Sequence, residues 1–127
     1  MCSAYAQDDL TCADFREGNF VVPATEKVPF ETQIIRKGNQ QTEIVEINGE
    51  TLEAVVNIKW IDACTYTLVF DETIKPQGDF IPEESLKSVL TTTILTIKGN
   101  CADFKISGTE GGQYITLYAT LCKQELL

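Results

Sequence analysis

The strongest constraint on this chain is the alternation over residues 52–71, LEAVVNIKWIDACTYTLVFD, where apolar side chains recur at every second position through two successive segments. A period of two is that of a β-strand, whose side chains point to opposite faces, and it is incompatible with a helix. Leu52, Ala54, Val56, Ile58 and Trp60 fall on one face of the first segment, with Glu53, Asn57 and Lys59 on the other. In the second segment Cys64, Tyr66, Leu68 and Phe70 share a face opposite Thr65, Thr67, Val69 and Asp71. Ile61, Asp62 and Ala63 form a connection of hairpin length, so the two strands are expected to pair antiparallel.

The same pattern extends in both directions. The segment that starts at Cys12 leads through a turn into a strand that ends at Val22, where Pro23 closes it. Residues 28–37 and 40–47 are the next two candidates, divided by Gly38-Asn39. Asn48-Gly49 is the strongest hairpin signal in the chain because both residues tolerate positive φ. Residues 89–98, 102–107 and 113–121 complete the set, with turns at Gly99-Asn100 and across 108–112. Residues 72–85 carry Pro76, Gly78 and Pro82 among charges and form the one long irregular connection, with a candidate helical turn at Pro82-Glu83-Glu84. Eight strands with short turns and no long helix predict an all-β fold, an up-and-down antiparallel meander closing as a lipocalin-like barrel. A two-sheet β-sandwich, crossing between sheets at 72–85, is the alternative.

Composition narrows the chemistry. Ten basic against nineteen acidic residues give a net charge of −9 and no basic stripe, which argues against nucleic acid and anionic lipid as partners. No run approaches the roughly 20 apolar residues of a spanning helix. The chain has no histidine, which removes the commonest general base and the commonest metal ligand. Zinc would also miss a Cys-x-x-Cys pair, and calcium an Asp-x-Asp-x-Asp-Gly loop, although Glu43, Glu46, Glu50 and Glu53 crowd one hairpin. The expectation is a protein that is not an enzyme, without metal or cofactor. A hydrolase with paired carboxylates is the catalytic class that composition leaves open.

Five cysteines in 127 residues suggest an oxidising compartment. Ala4-Tyr5-Ala6 before Gln7 has the small-x-small pattern of a signal peptidase site, so residues 1–6 read as a signal-peptide remnant and 7–127 as a single exported β-domain, in the periplasm or at the cell exterior. Removing Cys2 leaves an even count. Cys101 and Cys122 both face outward from neighbouring strands and are expected to bridge, with a bulge absorbing a small offset. Cys12 then pairs with Cys64.

The landmarks Cys12-x-x-Phe15-x-x-Gly18-x-Phe20, Ile34-Ile35-Arg36 with Gln40-x-x-Glu43, Lys59-Trp60-Ile61 and Cys64-Thr65-Tyr66-x-Leu68 resemble a family of small exported bacterial proteins of uncharacterised function. The likeness spans residues 12–70 and implies compartment and fold. Some members carry the label of a DNA topoisomerase IV subunit, which a short acidic chain does not support.

Phe20, Trp60, Tyr66, Leu68 and Phe70 are placed inward by their alternation. Arg36 shares a face with Phe30 and Ile34. Pointing inward it would hold a carboxylate, whereas its position at a strand end favours a side chain that reaches solvent over its apolar neighbours. The candidate binding set is therefore Phe20, Arg36, Trp60, Tyr66 and Phe70, taking a small hydrophobic ligand through the open end of the barrel. The competing expectation is a filled core with an exposed aromatic patch around Tyr114 and Tyr118, the mark of a module that binds an envelope protein. A cavity of about 300 Å³ or more distinguishes the first from the second.

Overall fold

The computed structural model describes residues 10–26, 29–70, 89–110 and 113–124. A 3-10 helix, Cys12–Phe15, precedes eight strands: β1 Gly18–Val22, β2 Thr32–Lys37, β3 Gln40–Ile47, β4 Glu50–Asp62, β5 Thr65–Phe70, β6 Leu90–Lys98, β7 Cys101–Glu110 and β8 Gln113–Lys123. Each strand pairs antiparallel with the next and β8 returns to β1, so the sheet is a closed barrel in meander order. That closure excludes the sandwich. Residues 1–6 and 72–85, including the helical turn expected at 82–84, lie outside the described residues.

Local chemistry accounts for most element boundaries. Asn48 and Gly49 have φ of 53° and 82°, the doubly positive turn that matches the right-handed twist of a hairpin. β4 runs through Ile61 and Asp62 by way of a bulge after Trp60, which corrects the expected connection. The turn is Ala63 and Cys64, where the Cys64 N–H donates to Asp62 Oδ1 at 2.9 Å. β2 begins only at Thr32, since Pro29 has no N–H to give a ladder. β7 continues through Gly108 to Glu110, past the turn expected at 108–112. A Cβ on Gly108 would come within 2.7 Å of Leu90 Cδ2 and 3.0 Å of the Val89 carbonyl oxygen, so glycine here permits the close approach of β6 to β7.

One end of the barrel is sealed. Phe15, on the 3-10 helix, is fully buried beside Phe20, with ring centroids 5.6 Å apart. Ile58, Tyr66, Ala102, Phe104 and Leu121 pack into the same cluster. Both disulfides sit at this end. Cys12–Cys64 ties the helix to the β4–β5 turn, with Cα atoms 5.3 Å apart. Cys101 and Cys122 are direct partners across β7 and β8 with Cα atoms 4.0 Å apart, so no bulge is needed. The expected pairings hold, and the expected offset vanishes because β7 runs on to Glu110, which stands opposite Gln113.

Barrel closure is narrow. β8 meets β1 only at Phe20 with Lys123 and Val21 with Cys122. Beyond Val22 the chain reaches Pro23, which offers no N–H to continue the ladder.

Candidate functional site

The 3-10 helix begins at an acidic cap. Asp14 Oδ2 accepts the Thr11 N–H at 2.8 Å and the Thr11 hydroxyl at 3.2 Å, and the Thr11 N–H is the main reason its carboxyl lies below the ordinary range. This cap directs the Phe15 carbonyl into the barrel mouth, where it meets Arg36.

Arg36 is buried, 4% exposed, which overturns the solvent-facing reading of its strand-end position. Three of its N–H groups donate inside the barrel: Nη1 to the Phe15 carbonyl at 2.7 Å, Nη2 to the Tyr66 hydroxyl at 2.6 Å and Nε to Gln41 Oε1 at 2.8 Å. Its guanidinium carbon also lies 4.5 Å from the Tyr66 ring centroid, 5.3 Å from that of Phe20 and 6.0 Å from that of Trp60. A buried cation is tolerated only when such groups replace its hydration. The reason for burial is non-local, because the helix supplies a carbonyl and β5 a hydroxyl at the place where β2 ends.

The network continues to an acid. Gln41 Nε2 donates to Glu43 Oε2 at 2.8 Å, so the amide joins guanidinium and carboxylate without direct contact between them. Burial pushes the Glu43 carboxyl above its ordinary value of 4.5, against the opposing pull of the Gln41 hydrogen bond and the Arg36 charge. A raised carboxyl pKa means the folded state holds its proton in a pH range where the unfolded state has released it. The associated stability is complete below the unfolded value and is lost as pH rises through the folded one. Glu43→Gln should therefore flatten the fall in stability above pH 4.5 and be at least as stable as the parent at pH 7. Urea midpoints across pH 4 to 8 test this, and a variant with an unchanged slope would remove Glu43 as the cause.

Outside the plug that the 3-10 helix and Phe15 form in the sealed end lies an open cleft of about 550 Å³, lined by Ala13, Asp14, Arg16 and Glu17 of the helix and its exit, Gly38 and Asn39 of the β2–β3 turn, and Trp60 and Lys123. Trp60 is half-buried, tilted against Tyr66 at 4.6 Å between centroids and covered by Arg16 at 4.8 Å. Its indole N–H is buried with no partner among the described residues. The acids in this cleft are engaged: Asp14 holds Thr11, and Glu17 Oε2 accepts the Gly38 N–H at 3.0 Å. Lys123 Nζ donates to the Asp14 carbonyl at 2.7 Å, which anchors the end of β8 to the helix.

Of the five expected binding residues, the structure brings four together. Phe20, Arg36 and Tyr66 lie inside the filled end, and Trp60 stands between them and the cleft. Phe70 ends β5, opposite Val56, at the other end of the barrel. Sequence reasoning missed Arg16, Gln41 and Lys123. Gln41 had a readable signal, since it stands directly opposite Arg36 across a two-residue turn. Arg16 and Lys123 had none, because their neighbours come from distant parts of the chain. Among the described residues no cluster of acids or cysteines is arranged to hold a metal ion, and no helix is long and apolar enough to cross a membrane. No protein-family model matches the chain, and no curated protein matches it.

Proposed function

We propose that the protein is an exported, non-enzymatic β-barrel that binds a small ligand in the cleft beside Trp60. The observation that carries this reading is the cleft itself, whose 550 Å³ is ample for a small molecule. Its position differs from the expected one: it lies outside the sealed end rather than inside the barrel. Asp14, Glu17 and Lys123 are each held by backbone groups, whereas Arg16 lies over Trp60 with only a long 3.5 Å contact to the Asp62 carbonyl, so Arg16 is the charge that a ligand on Trp60 meets. The ligand class is therefore a compact apolar or aromatic body, matched to Trp60, that carries a carboxylate or another acceptor. The two disulfides fit an oxidising compartment, and the resemblance to small exported proteins supports the same placement.

Trp60 is the only tryptophan, so its fluorescence reports on the cleft without interference. Titration with fatty acids, haem and an environment-sensitive dye is expected to give a saturable change for at least one of them, weakened about tenfold in Arg16→Ala, in line with loss of one charge-assisted contact. No saturable response from any probe, with the fold intact, would overturn the reading.

A second reading, a module that binds a protein of the cell envelope, is favoured by a different observation. Tyr114, Leu117 and Tyr118 of β8 are 73%, 56% and 70% exposed.

A further inference from the structure

β8 is unlike the other strands of the barrel. From Gln113 to Cys122 it carries no charged residue, in a chain whose net charge is −9. Its pairing with β7 runs the length of the hairpin, but on its other side only Cys122 and Lys123 meet β1. Among the described residues, the backbone of 113–121 has no strand partner on that side. Tyr114 and Tyr118 project to one side and Leu117 to the other, and all three are largely exposed, while Ala119 and Leu121 at the end of the stretch pack against the core. Edge strands in soluble proteins usually carry a charge, a proline or a bulge that blocks further pairing, and this one has none of them.

We propose that a second copy of the same chain occupies this edge, through antiparallel pairing of β8 with β8 about a twofold axis near Leu117. The inference is independent of the cleft, and it assigns the exposed residues of β8 to self-association rather than to an envelope protein. A twofold axis at Leu117 makes the nine-residue edge self-complementary. Tyr114 then stands opposite Thr120 of the partner subunit and Thr116 opposite Tyr118 of the partner subunit on the outer face. Ile115 stands opposite Ala119 of the partner subunit and the two Leu117 side chains meet at the axis. Aromatic with threonine and aliphatic with aliphatic are favourable cross-strand pairs, and no like charges oppose each other. An acidic or basic partner strand would find nothing complementary along this edge, whereas an identical uncharged strand does. The remaining charge of each copy acts at longer range, so association should tighten as salt screens it.

Sedimentation velocity on the full chain over a wide concentration range, at low and high salt, is the first measurement. A concentration-dependent dimer that tightens with salt is expected. Leu117→Lys places two ammonium groups face to face at the axis and should raise the dissociation constant about tenfold or more. Leu95→Lys, at an exposed position of β6, should leave it unchanged. Leu117→Cys sets two thiols directly opposite within disulfide reach, so oxidation should trap a covalent dimer that the parent and Leu95→Cys do not form. A monomer at all concentrations, which would mean that another segment or a different partner holds the edge, overturns the proposal. A dimer that is indifferent to Leu117→Lys and uncross-linked by Leu117→Cys overturns it as well, by placing the contact on another face.

Discussion

Arg36→Ala is expected to destabilise the fold by roughly 3 to 5 kcal/mol, the range seen when one member of a buried charged network is removed and its partners stay behind. The partners here are the Phe15 carbonyl, the Tyr66 hydroxyl and Gln41 Oε1, all within 2.8 Å of a guanidinium nitrogen. Deletion leaves these acceptors in the sealed end without a donor, and it opens a void between Phe20 and Tyr66. Arg36→Lys keeps the charge but presents one nitrogen where three separate directions must be served, so it should fall between parent and alanine variant. Tyr66→Phe, which removes a single partner, should cost about 1 kcal/mol. Urea denaturation of the four proteins tests the order. If Arg36→Ala cost less than Tyr66→Phe, the network would not be what holds the plug.

Replacing both Cys12 and Cys64 by serine is the second large effect. The bridge closes 52 positions of chain, which corresponds to about 4 kcal/mol of unfolded-state entropy, against about 3.3 kcal/mol for the 21 positions closed by Cys101 and Cys122. The first bridge also holds the helix that delivers Phe15 to Arg36, so its loss reaches the polar network. The prediction is non-additivity: removing Cys12, Cys64 and Arg36 together should cost less than the sum of the separate losses, because each perturbation already loosens the same plug. The pair Cys101 and Cys122 lies at the same end but joins β7 to β8 without holding the helix itself, so its removal should couple more weakly to Arg36→Ala. Equal coupling for both bridges would mean that the plug is not a distinct unit.

The parts of this structure legible in the sequence are those set by neighbouring residues. Alternation at 52–60 and 64–70 places Ile58, Tyr66 and Leu68 in the core, and Asn48-Gly49 sets a turn that only residues tolerant of positive φ can make. The hairpin bridge was legible because Cys101 and Cys122 are nearly equidistant from the glycine pair between β7 and β8. Arg36 was misread because its environment comes from elsewhere: a helix twenty-one positions earlier and a tyrosine thirty positions later. One local sign was present. Arg36, Gln41 and Glu43 fall in phase with buried Ile34 and Val45, so the polar residues continue the inward face of β2 and β3. A run of polar positions on a core face indicates an internal network rather than a surface, since each such group must find a partner or forfeit its hydration. The 3-10 helix likewise had a signature in Thr11-x-x-Asp14, the spacing of a reciprocal cap.

The near-neighbour order of the sheet also dictates a timetable for thiol oxidation. Seven of the eight ladders join consecutive strands and can assemble as hairpins, at little loop-closure cost. The eighth brings Phe20 to Lys123, and the Lys123 ammonium reaches Asp14 across 109 positions, so it must wait for most of the sheet to exist. Cys101 and Cys122 face each other within a single hairpin and meet at the earliest stage, before the circle closes. Cys12 reaches Cys64 only once its helix seats against the β4–β5 turn, so that bond is expected after the hairpin bond and records that the helix has docked.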